Sequence, residues 1–177
     1  PVKLLETIVR DAQGTHCWYQ NGKWHRDGDR PAVIGADGRY QAWYQNGQLH
    51  RDGDRPAVIC SDGRQVWYQN GQRHRDGDLP AVDDGGDGMQ VWYQNGRRHR
   101  DGDRPAEIWA DGSQAWYQNW QLNRDGDRPA YVGGDGPDGH QEWYQNGQLH
   151  RDGDRPASIW ADGSRFWYRN GVLICSM

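Results

Sequence analysis

Aromatic and polar positions follow one repeating pattern along the chain. The dipeptide Trp-Tyr occurs seven times, at steps of 24 to 27 residues. The tryptophans are Trp18, Trp43, Trp67, Trp92, Trp116, Trp143 and Trp167. A fixed period of this length is typical of repeat proteins, in which each unit packs mainly on its neighbours. The pattern therefore predicts a tandem array with an extended surface.

Within one unit the pattern predicts a β-hairpin. Residues 41–51 read QAWYQNGQLHR, with Asn-Gly between two short strand-forming runs. Asn-Gly favours a type I′ turn, because both central residues of that turn have positive φ. This register places Tyr44 opposite Leu49 and Trp43 opposite His50. The Trp/His face changes little among the units, so we expect it to form the common core, while the Tyr face is a surface that is free to vary.

The segment that follows each hairpin combines a turn with a short apolar run. Asp-Gly-Asp-Arg-Pro is rich in turn-forming residues, and an apolar run such as Ala57, Val58 and Ile59 comes next. Val58 is replaced by Glu, Tyr or Ser in other units, so we expect this middle position to face water and its two neighbours to face inward. We also expect the chain from the second hairpin strand to this run to form one interrupted strand, bent at the proline.

These elements define a fold class and an organisation. We expect an all-β protein in which tandem β-hairpins form an elongated, twisted antiparallel meander. A parallel β-solenoid with one coil per roughly 24 residues is the alternative. The array is expected to occupy residues 1–177 as a single domain. Residues 1–17 would form an N-terminal cap, 18–171 the seven hairpin repeats and 172–177 a C-terminal cap, since both ends depart from the repeat.

Composition narrows the classes of function. Only 34% of residues are hydrophobic and the mean hydropathy is -1.19, but 11 Trp and 9 Tyr indicate an aromatic-rich core and not a disordered chain. The net charge is -4, with acids and arginines interleaved, which disfavours nucleic-acid binding. No run approaches the roughly 20 apolar residues of a membrane span.

The start of the chain and its cysteines bear on location. The first residues, PVKLLETIVRD, show no signal peptide. The 3 cysteines do not recur with the repeat, so a disulfide framework is not expected and a reducing compartment is favoured. We therefore expect a cytoplasmic protein or a component of a viral or cellular assembly.

The repeat resembles a known family. The shared pattern is W-Y-x-N-G-x-x-H-R-x-x-G-x-A, carried in the second unit by Trp43, Tyr44, Asn46, Gly47, His50, Arg51, Gly53 and Ala57. This resembles the MORN-like hairpin repeats found in bacterial and giant-virus proteins, and the resemblance covers Trp18 to Gly171. It departs from that family by two inserted residues before the repeat proline, which are Asp-Arg in five units and Asp-Leu in one. The resemblance implies scaffolding and attachment of proteins.

The repeated polar residues do not indicate an enzyme. Catalysis needs a few groups in one asymmetric pocket, whereas the same phrase recurs six times here. Zinc binding by the histidines is disfavoured because equivalent residues of adjacent hairpins lie roughly 10 Å apart; we expect each histidine to pack on its tryptophan and to bond to backbone.

The Asp-Gly-Asp loops are the candidate metal ligands. Carboxylates on a tight loop suit Ca²⁺, although each adjacent arginine would repel a cation or pair with the acids, and Asp and Gly are also common turn formers. A calcium-stabilised repeat protein is thus an alternative hypothesis. Its ligands would be Asp27, Asp29, Asp52, Asp54, Asp76, Asp78, Asp101, Asp103, Asp125, Asp127, Asp152 and Asp154.

The tyrosines suggest a second alternative, a carbohydrate-binding array. A row of aromatic rings along one face could stack on sugars, although tyrosine also suits a half-exposed strand for structural reasons alone. The row would comprise Tyr19, Tyr44, Tyr68, Tyr93, Tyr144 and Tyr168.

Departures from the repeat supply the candidate partner contacts. Trp120 stands where the turn glycine is expected, so we expect that turn to change type and the ring to protrude. Trp109 and Trp160 occupy equivalent loop positions, and Tyr131 precedes a loop with a three-residue insertion. Exposed tryptophans are common anchors of interfaces. We therefore expect a non-enzymatic repeat scaffold that binds a protein partner through Trp109, Trp120, Tyr131 and Trp160, or forms part of an assembly. Self-association through the end strands is a further possibility.

Overall fold

The protein is all-β and consists of consecutive antiparallel hairpins. The computed structural model describes residues 6–86, 88–118, 120–134 and 136–177. Residues 1–5 of the predicted N-terminal cap and Asn119 of the fifth predicted turn lie outside these ranges. Every strand pairing among the described residues is antiparallel, so the predicted open meander is confirmed and the parallel solenoid is wrong. In the part of the chain that the structure describes, no helix has the length and apolarity needed to cross a membrane.

The chain divides into two compact units. The first comprises Pro1–Gly86 and Gln94–Gly96, and the second comprises Asp87–Tyr93 and Arg97–Met177. The prediction of a single capped array stays a prediction.

In the first unit the main sheet has the strand order β1-β2-β4-β5-β8-β9-β12, with β3 paired to β2. The strands are β1 (Glu6–Arg10), β2 (His16–Gln20), β3 (Lys23–Trp24), β4 (Val33–Ile34), β5 (Gln41–Ala42), β6 (Tyr44–Gln45), β7 (Gln48–Leu49), β8 (Val58–Ile59), β9 (Gln65–Val66), β10 (Tyr68–Gln69), β11 (Gln72–Arg73) and β12 (Val82–Asp83). The pairs β6–β7 and β10–β11 form separate two-stranded sheets.

In the second unit the main sheet has the order β13-β16-β17-β20-β21-β24-β25-β26. The strands from here on are β13 (Gln90–Val91), β14 (Tyr93–Gln94), β15 (Arg97–Arg98), β16 (Glu107–Ile108), β17 (Gln114–Ala115), β18 (Tyr117–Gln118), β19 (Gln121–Leu122), β20 (Tyr131–Val132), β21 (Gln141–Glu142), β22 (Tyr144–Gln145), β23 (Gln148–Leu149), β24 (Ser158–Ile159), β25 (Arg165–Arg169) and β26 (Val172–Ser176). A short 3-10 helix spans Gly136–Asp138. The pairs β18–β19 and β22–β23 are again separate two-stranded sheets.

The hairpin predicted from the second repeat is confirmed in register and turn type. Tyr44 pairs with Leu49 across β6 and β7, and the backbone N–H of His50 donates to the carbonyl oxygen of Trp43 at 3.1 Å. Asn46 and Gly47 have φ of 52° and 85°, as a type I′ turn requires. The tryptophan of this hairpin is buried, which confirms the Trp face as the core.

The second hairpin strand and the apolar run after it do not form one interrupted strand. β7 belongs to the small hairpin sheet, whereas β8 belongs to the main sheet. The turn-rich segment between them carries the chain from one sheet to the other. Each repeat therefore contributes two short strands to the main sheet and projects its Trp-Tyr hairpin separately.

The middle position of the apolar run is buried, contrary to expectation. Val33, Val58 and Val82 are buried, and so are the polar replacements Glu107 and Ser158. Residues directly opposite each other in an antiparallel pair share a face. In the second unit these positions form a shared face that runs through Glu107, Ala115, Tyr131, Glu142, Ser158 and Phe166. Variation at this position reflects different packing partners and not exposure to water.

A stacked Trp–Arg–Asp arrangement connects successive repeats. The guanidinium of Arg51 lies 3.7 Å from the ring centroid of Trp43. Its Nε donates to Asp29 of the preceding loop at 2.8 Å, and its Nη1 donates to the carbonyl oxygen of Pro56 at 3.2 Å. Arg55 also pairs with Asp29. The arginines that link to the preceding loop in the same way are Arg75, with Asp54, Arg124, with Asp103, and Arg151, with Asp127.

Four of the repeat histidines form a second connection. Nδ1 of His50 accepts the backbone N–H of Asn70 in the next turn at 3.0 Å, and Nε2 lies 3.1 Å from Oδ1 of Asp52. Since Nδ1 accepts a hydrogen bond, a neutral ring carries its proton on Nε2 and donates it to the carboxylate. His25, His74 and His150 make the same two contacts. The group found stacked on the tryptophan ring is the arginine, whereas the histidine bonds to backbone of the next turn.

The natural replacement at Asn123 makes the histidine connection testable. Oδ1 of Asn123 accepts the backbone N–H of Asn146 at 3.3 Å, in the place of a histidine Nδ1. We expect His50→Ala to lower the free energy of unfolding by about 1–2 kcal/mol, because the N–H of Asn70 loses its acceptor. His50→Asn should lose less than about 0.5 kcal/mol because it restores an acceptor. Urea denaturation measures both variants, and an equal loss in the two would contradict this role.

Candidate interaction surface

The Asp-Gly-Asp loops are occupied by contacts within the protein. The second aspartate of four loops is held by an arginine of the next repeat, as described above for Asp29. The first aspartate contacts the histidine of its own repeat, and Asp125, which has no such histidine, accepts from Gln118 at 3.2 Å. Among the described residues, Asp154 has no hydrogen-bond or ion-pair partner, because Cys175 stands where the next arginine is expected. No group of three or more His, Cys, Asp or Glu residues suited to a metal is found in the described ranges.

The arginines lower the pKa of the aspartates that they hold. The hydrogen bond from Arg51 lowers the pKa of Asp29, partial burial opposes this, and the charges of Arg51 and Arg55 add to the lowering. Asp54, Asp103 and Asp127 are lowered by the same kind of hydrogen bond. The charged forms of these four carboxylates are therefore part of the folded structure.

This predicts a loss of stability in acid. A carboxyl group whose pKa is lower in the folded chain stabilises the fold above its unfolded pKa, which is about 3.9. Its contribution is lost as the pH falls through the folded pKa. We expect the melting temperature to fall steeply as the pH drops below about 4. Asp127→Asn should melt lower at pH 7 with a smaller fall in acid, and an unchanged fall would contradict the assignment.

Polar clefts lie between successive Asp-Gly-Asp loops. Their volumes are about 410 and 370 Å³ in the second unit and about 390 Å³ in the first. The cleft in the first unit is lined by Asp29, Arg51, His50 and their neighbours. Because the same residue types recur in all three clefts and bond to one another, the clefts carry the connections between repeats.

The predicted tyrosine row is half-buried and its hydroxyl groups have partners at several positions. Tyr93 is only 8% exposed. The hydroxyl of Tyr68 accepts from Nε of Arg73 at 3.2 Å, and that of Tyr144 donates to Glu142 at 2.9 Å. Burial, and then the charge of Glu107, raise the pKa of Tyr117 to about 12, although this repeat tyrosine was not included in the predicted row. The hydroxyl groups of Tyr68 and Tyr144 are thus engaged within the protein, and the carbohydrate hypothesis stays a prediction.

Three of the four predicted partner contacts lie together in one aromatic row. The ring centroids of Trp109 and Tyr131 are 6.0 Å apart, those of Tyr131 and His140 5.4 Å, and those of His140 and Trp160 4.7 Å. Phe166 extends the row, 6.3 Å from Trp160. We call these five residues the aromatic row. All of them belong to the second unit, and Trp160 is 49% exposed.

Trp120 lies apart from the aromatic row, at the tip of the β18–β19 hairpin. Its φ is 74°, so the expected change of turn type is wrong at this residue, and the register Tyr117 to Leu122 matches that of the other hairpins. The ring is 62% exposed, which confirms that it protrudes. Among the described residues it has no ring partner. A bulky residue at positive φ is strained, and such strain is concentrated at functional positions.

The loop with the three-residue insertion packs beside the row. A Cβ atom on Gly134 would lie 2.0 Å from the carbonyl oxygen of Asp111, so only glycine permits this approach. The hydroxyl of Tyr131 lies 3.4 Å from Oγ of Ser113 in the same neighbouring loop. Trp160 donates to Oγ of Ser158 at 3.1 Å. The row is thus fixed by contacts from its own strands and loops.

Sequence reasoning missed two members of the row. His140 lies beside Glu142, with Nε2 3.2 Å from Oε1, and Phe166 lies opposite Ser158 in the sheet. The two-residue alternation places His140 on the face of Glu142, but the rings that lie beside it follow only from the sheet order. Comparison with protein-family models and with curated proteins gives no match for this chain.

Proposed function

We propose that this protein is a non-enzymatic repeat scaffold that binds a protein partner through the aromatic row of its second unit. The observation that carries the proposal is the clustering of Trp109, Tyr131 and Trp160 with two further rings on one sheet face. Half-exposed aromatic rings fixed by their own scaffold are typical anchors of protein interfaces. The resemblance to MORN-like repeats, which implies attachment of proteins, supports the same function. Trp120 is a second, separate anchor.

The polar clefts and loops outside the aromatic row are better explained as contacts that stabilise the repeats than as catalytic or metal-binding sites. The clefts recur with the same residue types, whereas a catalytic site needs one asymmetric arrangement. A calcium-stabilised array has less support because the arginines already neutralise four of the twelve candidate carboxylates. A melting temperature that drops with EDTA and recovers with Ca²⁺ would instead favour that alternative.

Comparative capture tests the proposal. The chain, a Trp109→Ala/Trp160→Ala variant and a Trp24→Ala control are immobilised and exposed to extract from cells of the source organism. Trp24 is an exposed ring in the first unit and controls for the loss of an exposed tryptophan away from the row. We expect a protein that is retained by the natural chain and by the control and lost from the double variant. Identical sets of captured proteins on all three surfaces would contradict the proposal.

A further inference from the structure

Inside the protein, buried tryptophan rings already bind a cationic group, the guanidinium of an arginine. Each inner Trp of the first six repeats is covered by an arginine, with guanidinium-to-centroid distances of 3.7 to 3.8 Å. In four of these the arginine is held by an aspartate of the preceding loop. The tryptophan ring stacks on the flat face of the guanidinium, and the carboxylate pairs with its charge and accepts its N–H groups.

In the aromatic row, two tryptophans are each followed closely by an aspartate, and the structure places no arginine of the described residues over either ring. Trp109 is followed two residues later by Asp111, and Trp160 by Asp162. Both aspartates are exposed, and each uses one oxygen to accept a backbone N–H within its own turn, from Ser113 and from Ser164, at 2.9 Å. In the described residues, no lysine, arginine or histidine nitrogen lies within ion-pair distance of either carboxylate.

The equivalent loops of the first unit differ in charge. They read Asp37-Gly38-Arg39 and Asp62-Gly63-Arg64, whereas the loops after Trp109 and Trp160 read Asp-Gly-Ser. The first unit also has no ring at the positions of Trp109 and Trp160, where Gly35 and Cys60 stand. A tryptophan and an Asp-Gly-Ser turn therefore occur together at two loops of the second unit.

We propose that the aromatic row binds an extended basic peptide segment of the partner, whose arginine or lysine side chains stack on Trp109 and Trp160 and pair with Asp111 and Asp162. This inference rests on the proposed function and specifies its partner. The negative charges of Asp111 and Asp162 favour a cationic segment over an acidic one. The internal Trp–Arg–Asp arrangement favours the same choice.

The sheet sets the spacing of the two basic side chains. Trp109 follows β16 and Trp160 follows β24, which are four strand steps apart in the order β16-β17-β20-β21-β24. The three centroid distances along the row place the rings of Trp109 and Trp160 at most about 16 Å apart. An extended chain rises about 3.3 Å per residue and alternates its side chains, so the two basic residues should be about four residues apart and on the same side of the segment.

Synthetic peptides test this directly. Three peptides of equal length are built on an otherwise uncharged Ser/Pro sequence. The first carries two arginines at the predicted spacing, the second carries two adjacent arginines, and the third carries two glutamates at the predicted spacing. Each is titrated into the full chain by calorimetry at low and high salt. The test variant is Asp111→Asn/Asp162→Asn, and the matched control is Asp37→Asn/Asp62→Asn on the first unit.

We expect the peptide with spaced arginines to bind more tightly than the other two peptides. Its affinity should fall about tenfold in the test variant, where both carboxylate contacts are lost, and should be unchanged in the control.

Equal binding of the glutamate peptide, equal binding of the adjacent-arginine peptide, or equal loss in the two variants would overturn the inference. A captured partner that depends on the row but is not displaced by the arginine peptide would overturn the inference and leave the proposed function intact. Absence of both row-dependent capture and peptide binding would overturn both. Binding of a cello-oligosaccharide that is lost in Trp160→Ala would also overturn both.

Discussion

Trp116→Ala should lower the free energy of unfolding by about 3–5 kcal/mol, whereas Trp120→Gly should raise it by about 0.5–1 kcal/mol. The two residues belong to the same hairpin repeat. Trp116 is 7% exposed and packs under the guanidinium of Arg124 at 3.8 Å, so its removal leaves a cavity and unstacks the arginine. Trp120 is exposed at positive φ, and glycine removes the strain of that conformation.

Guanidinium denaturation of the two variants measures this contrast. Trp120→Ala is the control, because alanine keeps the strain of positive φ while removing the ring. Its stability should stay within about 0.5 kcal/mol of the natural chain, since a surface ring contributes little to folding. A loss in Trp120→Gly comparable to that in Trp116→Ala would show that the protruding ring is part of the core.

Arg124→Lys should destabilise the second unit by about 2 kcal/mol, although it retains the positive charge. Arg124 stacks on Trp116, donates to both oxygens of Asp103 at 2.7 Å and donates to the carbonyl oxygen of Pro129 at 3.2 Å. The ammonium of lysine cannot make these planar contacts together. Thermal and urea denaturation give the difference.

A matched surface substitution tests the specificity of this effect. Arg165 lies in β25 and is exposed, with no ring beneath it among the described residues. Arg165→Lys should change the free energy of unfolding by less than about 0.5 kcal/mol. If Arg124→Lys were equally mild, a simple charge at this position would suffice and the stacked arrangement would not connect the repeats.

Local features of the fold could be predicted from sequence because they depend on a few adjacent residues. Asn46-Gly47 determines both the turn type and the register of its hairpin, and the invariant tryptophan face follows by alternation. Contacts between repeats could not be predicted in the same way. The pairing of Arg51 with Asp29 joins residues of different repeats, and no local pattern shows which arginine covers which ring.

The errors have the same physical origin. Val58 was expected to face water because its counterparts vary, but the shared sheet face buries Val58, Glu107 and Ser158 alike. Trp120 was expected to change the turn, yet the flanking hairpin register holds the positive φ. For the aromatic row, Trp109, Tyr131 and Trp160 were recognisable as departures from the repeat. The contributions of His140 and Phe166 depend on cross-strand neighbours that only the sheet order reveals.

Hydrogen exchange of the chain with and without its captured partner tests the central claim most directly. The partner should slow amide exchange in β20, β21, β24 and β25 and in the loops after Trp109 and Trp160, with little change at the Asp-Gly-Asp loops of the first unit. Protection centred on those loops, or on the tyrosine faces of the hairpins, would contradict the assignment of the aromatic row as the binding surface.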